Sequence, residues 1–267
     1  MEYIGYLAAI VMGITLGLIG GGGSILTVPI LVYFFSQNPL VATTESLFIV
    51  GMTALFGALL SARKKLVDYR TAALFAVPSF AGVFIARKFI LPRIPDVIFS
   101  SNDIVLTKGL FVMGCFAVLM IVASRAMIRS GKLELPVTKE INAMVGIPTI
   151  ALKGFLVGIT TGFIGAGGGF LIIPALVLLL KIPMRIAVGT SLAIIAANSG
   201  FGFVISYSTH VYNWNLLLTI SGIGVLGILI GQRFGSYVND KILKRSFGYF
   251  VLLVGSLVLF DQIMKLR

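Results

Sequence analysis

The sequence predicts an all-α polytopic membrane protein of two inverted repeats, each a glycine-broken helix pair or re-entrant hairpin followed by three transmembrane helices. Three observations predict it: apolar runs of membrane length along the chain, a gap-free internal duplication, and a one-sided distribution of Lys and Arg once each opening stretch is folded back.

Of the 267 residues 58% are hydrophobic and 11% charged, with a mean hydropathy of +1.07, more apolar surface than a soluble domain can bury. Runs of roughly eighteen or more apolar residues recur, the length that crosses a hydrocarbon core as helix. Residues 1–20 are expected to be a retained helix rather than a secretory signal, because no Lys or Arg precedes the apolar stretch and Glu2 has the wrong sign. The net charge of +12 sits in short loops between apolar spans, where it orients the chain, so the bilayer and not nucleic acid is the expected partner. The single cysteine, Cys115, lies mid-span and excludes a disulfide framework or a paired-cysteine metal site; no metal and no cofactor is expected.

The duplication is read from GITLGLIGGGGSILTVPIL, starting at Gly13, and GITTGFIGAGGGFLIIPAL, starting at Gly158, at a constant offset of 145. Gly13, Gly17, Gly20, Gly22, Gly23 and Pro29 fall on Gly158, Gly162, Gly165, Gly167, Gly168 and Pro174. The same offset carries Ser46 onto Ser191, Asp68-Tyr69 onto Asn213-Trp214 and Gly82 onto Gly227. The chain thus divides into a first transmembrane repeat, 1–131, a polar cytoplasmic linker, 132–145, and a second repeat, 146–267. Consecutive glycines are poor helix formers. Breaks are therefore expected at 20–23 and 165–168, with ordinary spans near 43–62, 70–90 and 105–124, matched by 187–206, 214–232 and 246–264.

Charge discriminates between two topologies. With each opening stretch as one continuous helix, the 21 Lys and Arg split 11 to 10 between the faces. With each stretch turned back at its glycines they split 15 to 6, the fifteen being those at 63, 64, 65, 70, 125, 129, 132, 139, 153, 181, 185, 233, 241, 244 and 245. The positive-inside rule makes that face cytoplasmic and favours the second topology, which places both termini on the other side and lets the two breaks enter from opposite faces.

Irregular backbone at membrane depth persists only where protein buries it or where it lines a wet cavity. A fresh helix start after a break presents unpaired N–H groups and the positive end of a helix dipole, which suits an anion, and paired broken helices in inverted repeats are where secondary carriers hold substrate. Gly20, Gly21, Gly22, Gly23 and Ser24, with Gly165, Gly167, Gly168 and Gly169, are the candidate substrate-binding residues of the breaks. Gly13, Gly17, Gly158 and Gly162 read instead as close helix packing. Thr44 and Ser46 in the first half, and Thr190 and Ser191 in the second, can donate to an anion or cap a helix, and Asn198 extends this stripe. Glu45 has Thr190 as its counterpart and reads either as a coupling proton site or as a carboxylate at a helix start. Arg87, Lys88 and Arg233 are expected to snorkel at span ends, and Asp261 and His210 to be interfacial. No GxxxxGK[ST] loop is present, so no nucleotide coupling within the chain is expected.

GLIGGGGSILTVPIL, GFIGAGGGFLIIPAL and AVGTSLAII together resemble the TauE/SafE family of membrane permeases, over the full chain. The resemblance implies transport of sulfur-containing anions such as sulfite, sulfonates and sulfoacetate across prokaryotic inner membranes, without an ATPase subunit. It also implies substrate contacts at residues 20–23 and 165–169, with Thr190 and Ser191; Thr44-Glu45-Ser46 departs from the GTS of the second half.

The expected function is a secondary transporter for a small, sulfur-containing anion, with a homodimer a reasonable assembly for so small a carrier. A passive anion channel is the alternative. An intramembrane enzyme acting on a lipid phosphate is a weaker one, because it needs paired acidic or His groups and only Glu45 is a candidate. Single cysteines at positions 64 and 213, in a Cys115→Ala background, will label from opposite sides of the membrane; labelling of both from one side contradicts the inverted topology.

Overall fold

The computed structural model describes residues 2–21, 23–101, 104–130, 147–164, 169–180, 182–207, 212–235 and 240–266. Gly22, Gly165, Gly167, Gly168, His210 and the 132–145 linker lie outside them.

The opening stretch breaks at its glycines into α1, Glu2–Ile19, and α2, Ser24–Phe34. Gly20 adopts a left-handed φ of +79°, which glycine reaches without steric cost. α2 then runs back along α1: Gly23 packs on Met12 and Leu16, and the Phe35 ring just beyond α2 returns to Gly5 and meets the Tyr6 ring edge-on at 5.2 Å. Eleven residues of helix span about 16 Å, close to half of a hydrocarbon core, so α2 is a half-helix.

Three long helices follow. α3, Pro39–Arg63, is started by Asn38, whose Oδ1 accepts from the Leu40 N–H at 2.9 Å, and by a proline in its first turn. α4, Tyr69–Ile85, is capped by Asp68, whose Oδ1 accepts from the N–H groups of Arg70 and Thr71. It continues through a π-helical turn, Ala86–Ile90, into the short α5, Leu91–Arg93. An antiparallel hairpin, β1 Val97–Ser101 and β2 Ile104–Thr107, precedes α6, Lys108–Ser130.

The second half repeats this plan. α7 is Ile147–Ile164; α8, Gly169–Pro174, extends through a π-helical turn, Ala175–Leu179; α9 is Met184–Ser206; α10 is Trp214–Gly235; α11 is Asp240–Leu266. The starts of α7, α8, α9 and α10 each lie 145 residues after those of α1, α2, α3 and α4. Asn213 heads α10 as Asp68 heads α4, with its Oδ1 accepting from the Leu216 N–H at 3.2 Å. At the last helix the offset falls to 132, because the hairpin belongs to the first half alone. That hairpin was not expected from the sequence: its second strand overlaps the start of the span expected at 105–124, which begins as helix only at Lys108.

The chain is an all-α polytopic membrane protein. By length and composition Pro39–Arg63, Tyr69–Arg93, Lys108–Arg125, Met184–Ser206 and Trp214–Gly235 can each cross a bilayer, and shorter apolar helices accompany them at Tyr3–Ile19, Ser24–Phe34, Pro148–Ile164 and Gly248–Met264.

Small residues set the packing. α1 lies parallel to α10, with Gly13 on Gly224 and Gly227 and Gly17 on Ile228. The image of that pairing under the offset is α7 parallel to α4, with Gly154 on Phe75, Gly158 on Ser79 and Gly162 on Val83. A Cβ at Gly13, Gly17, Gly158 or Gly162 would overlap the facing backbone, so these four glycines let main chains touch, as their spacing predicts. The equivalent helices α3 and α9 cross antiparallel, Gly189 meeting Ser61 and Leu66 at one end and Gly202 meeting Leu47 at the other. α6 and α11 also run antiparallel, with Gly248 on Ile128 and Gly255 on Met120.

Gly158→Ala is expected to destabilise the fold by roughly 1–3 kcal/mol through overpacking. Gly222→Ala, where an added Cβ meets nothing, is expected to hold or raise stability. Thermal unfolding of the two purified variants against the parent checks both.

Candidate functional site

Gly21, in the first glycine break, touches Gly169, the first residue of α8. A Cβ on Gly21 would overlap the Gly169 main chain, and one on Gly169 would overlap that of Gly21 and crowd Ile195. Main chain meets main chain here, a separation that only glycine permits. Gly20 packs on Val188 and the Ser191 hydroxyl, so the first break also rests on the start of α9. Gly23 is the residue preceding α2, and Ser24, its fully buried first residue, donates from Oγ to the Gly21 carbonyl at 2.7 Å. Gly169 opens α8. Gly165, Gly167 and Gly168, which run up to it, lie outside the described residues with Gly22.

Buried hydroxyls and amides surround the starts of α3 and α9. Thr43, Thr44, Glu45, Ser46, Thr190, Ser191 and Asn198 are all 3% exposed or less. Ser46 Oγ donates to the Thr43 carbonyl at 3.0 Å and Ser191 Oγ to the Val188 carbonyl at 2.8 Å, the same own-helix bond in each half. Thr190 Oγ1 accepts from the Asp68 N–H at 3.0 Å and ties α9 to the turn before α4. Asn198 Nδ2 donates to Ser79 Oγ at 2.7 Å, while Asn198 Oδ1 and Ser199 Oγ have no protein partner. Glu45 Oε2 is buried and unpartnered as well. Unpaired polar atoms cost about 1–3 kcal/mol each when buried, so their accumulation along α3 and α9 marks a place kept polar for a reason other than stability.

The residue that sequence reasoning missed is Arg87. Snorkelling was expected for it, yet the side chain is only 6% exposed and turns inward. Nη1 donates to Thr44 Oγ1 at 3.0 Å and, at the limit of hydrogen-bond reach, to Thr43 Oγ1 at 3.5 Å; Nη2 donates to the Thr43 carbonyl at 3.2 Å. Lys88 is the neighbour that stays exposed, its ammonium 5.2 Å from the Phe84 ring centre. The π-helical turn that holds both residues widens the helix and re-aims its side chains, a distortion common at functional sites. The signal was present in the duplication: of the three cations at these span ends, the offset pairs Lys88 with Arg233 but Arg87 with Gln232, leaving Arg87 without a charged counterpart.

Residues 5–258 match the description "Sulfite exporter TauE/SafE". The chain belongs to the TauE/SafE family. This family member is 31% identical over 257 residues to a "Probable membrane transporter protein" of Xylella fastidiosa, an alignment that covers 93% of this chain and 91% of the relative. It is 29% identical over 262 residues to the "Probable membrane transporter protein YunE" of Bacillus subtilis, covering 90% of this chain and 91% of the relative. No solved structure matches the chain. A TauE/SafE member with full-length relatives named as membrane transporters is itself a multi-pass transporter of the cell membrane. The polar cluster and the contact of Gly21 with Gly169 are the parts of this fold that departure from apolar packing singles out.

Outside this region, Asp261 is part-buried: its Oδ2 accepts from the Tyr33 hydroxyl at 2.7 Å and from Gln262 Nε2 at 2.9 Å. It joins α11 to the end of α2.

Thr44→Val removes the shorter of the hydroxyl contacts to the buried guanidinium and is expected to cost about 1–3 kcal/mol of stability. Thr160→Val, whose hydroxyl bonds only its own helix, is expected to change stability little. Unfolding midpoints of the two purified variants read the contrast.

Proposed function

We propose that the chain is a secondary carrier for small sulfur-containing anions of the sulfite, sulfonate and sulfoacetate class, with the substrate held at the paired glycine breaks. The observation that carries this reading is the meeting of Gly21 with Gly169, which joins two half-helix starts amid the buried hydroxyls of α3 and α9. Backbone N–H groups at the starts of α2 and α8 would face the anion, and Ser24, Thr44, Ser46, Thr190, Ser191 and Asn198 would complete its surroundings. The family description supplies the sulfur; the chemistry of the site supplies only the negative charge.

The antiparallel crossings of α3 with α9 and of α6 with α11 support inverted halves, and so does the one-sided charge of the loops. In that arrangement the breaks enter from opposite faces and the halves rock about them to alternate access. Glu45, buried beside Thr44 and carrying an unpartnered oxygen, would take the coupling proton. A prokaryotic inner membrane is the expected location and a homodimer the expected assembly.

In proteoliposomes, preloaded substrate will accelerate uptake of labelled sulfite or taurine; flux linear in concentration without such trans-stimulation identifies a passive channel instead. Among sulfite, thiosulfate, taurine, sulfoacetate and sulfate, at least one is expected to raise the melting temperature of the purified protein. Glu45→Gln is expected to keep exchange and to lose stimulation by an imposed proton gradient.

A further inference from the structure

Arg87 is a full positive charge enclosed in the protein, and all of its partners are neutral. Its three hydrogen bonds go to two threonine hydroxyls and one main-chain carbonyl. No carboxylate is among them. Glu45, next in sequence to Thr44, makes no ion pair with it. Burying an uncompensated charge costs several kcal/mol, so a buried cation is retained where its counter-charge arrives by another route.

The arrangement of those bonds shows which face waits for it. A guanidinium carries five N–H donors in a rigid plane. The end-on face is occupied: Nη1 points to Thr43 and Thr44, and Nη2 spends one of its two hydrogens on the Thr43 carbonyl. Nε is buried without a partner, and Nη2 keeps its second hydrogen. Nε–H and that Nη2–H lie parallel along the side edge, the fork that matches two oxygens of a carboxylate, phosphate or sulfonate.

The fork lies where the π-helical turn after α4 meets the start of α3 and the end of α7. Ala86 touches Gly162, three residues before the second break, and Thr43 and Thr44 belong to the first turns of α3. Its counterpart in the other half is not a second cation: Gln232 occupies the equivalent position and spends its amide on the Gly57 carbonyl at 2.8 Å and on Ser61 Oγ at 3.1 Å. Among the described residues, Arg87 is therefore the one buried Lys or Arg, on one side of the near-symmetry.

We propose that the Nε–Nη2 edge of Arg87 is a fixed oxoanion site, which takes two oxygens of the transported anion and receives from it the counter-charge that no described residue supplies. This deepens the reading of the chain as an anion carrier and rests on it. The site takes one anionic oxygen-bearing group and prefers it to a spherical ion such as chloride, which cannot fill both prongs. The first-half and second-half ends of the pathway are then unequal, because only the first holds the anion by charge.

The test measures ligand-induced thermal stabilisation and apparent Kd on full-length protein in nanodiscs, with sulfite, sulfoacetate, taurine, phosphate, oxalate and chloride as probes. Arg87→Gln is expected to weaken the oxoanion that binds the parent best by about tenfold to a hundredfold, the worth of a charge-assisted pair. Arg87→Lys, which keeps the charge and loses the fork, is expected to fall between, and Lys88→Gln, beside it but exposed, to bind as the parent does. Unchanged binding in folded Arg87→Gln overturns the site and leaves the carrier reading standing. If a non-sulfur oxoanion binds the parent and Arg87→Gln abolishes it, the site holds and the sulfur assignment falls. If no anion binds the parent, both fall. Should Arg87→Gln not fold, Arg87→Lys decides, since unchanged oxoanion affinity there overturns the forked contact.

Discussion

A main chain in hydrocarbon has no water to bond with, and a chain that breaks its helices at membrane depth must bury each break against protein. In this protein the first break lies against the starts of α8 and α9. Gly21 and Gly169 approach main chain to main chain, the first break rests on Val188 and Ser191, and Gly23 on Met12 and Leu16. Much else follows from that constraint: α2 must return along α1, α3 must cross near α9, and the polar side chains of both crossings are carried into the interior. The glycine-lined pairings of α1 with α10 and α4 with α7 serve the same end, because close helices bring the half-helices within reach of one another.

Duplication makes the scaffold nearly symmetric, and the departures from symmetry are chemically specific. Glu45 stands against Thr190, Arg87 against Gln232, and a hairpin is present after α5 with no equivalent after α10. Two of the three place an ionisable group inside the first half where the second has a neutral one. The difference between the halves thus lies in those buried ionisable groups as well as in the hairpin. The polar residues common to both halves, Ser46 with Ser191, bond their own helices in the same way and contribute equivalence.

Legibility in the sequence followed the range of the interaction. Gly13, Gly17, Gly158 and Gly162 read correctly as packing positions because helical spacing alone sets which residues share a face. Asp68 and Asn213 matched in the duplication and proved to be the same helix cap, again a local matter. Arg87 was misread because its position near the end of an apolar span is ambiguous: a long cationic side chain can reach outward to the interface as easily as inward to a hydroxyl. A π-helical turn decided the direction, and the sequence pattern does not announce such a turn. Asn198 was legible as polar and central, but its bond to Ser79, 119 residues away, was not.

By itself the sequence determined membrane residence, the duplication with its helix starts and the glycine breaks, since each depends on composition or on spacing along one helix. The tertiary structure alone decided that Gly21 meets Gly169, that Thr190 is spent on the turn before α4, and that Arg87 faces inward with its side edge open. Those are contacts between segments far apart in the chain, and they depend on how closely glycine lets helices approach, a quantity that no single segment contains.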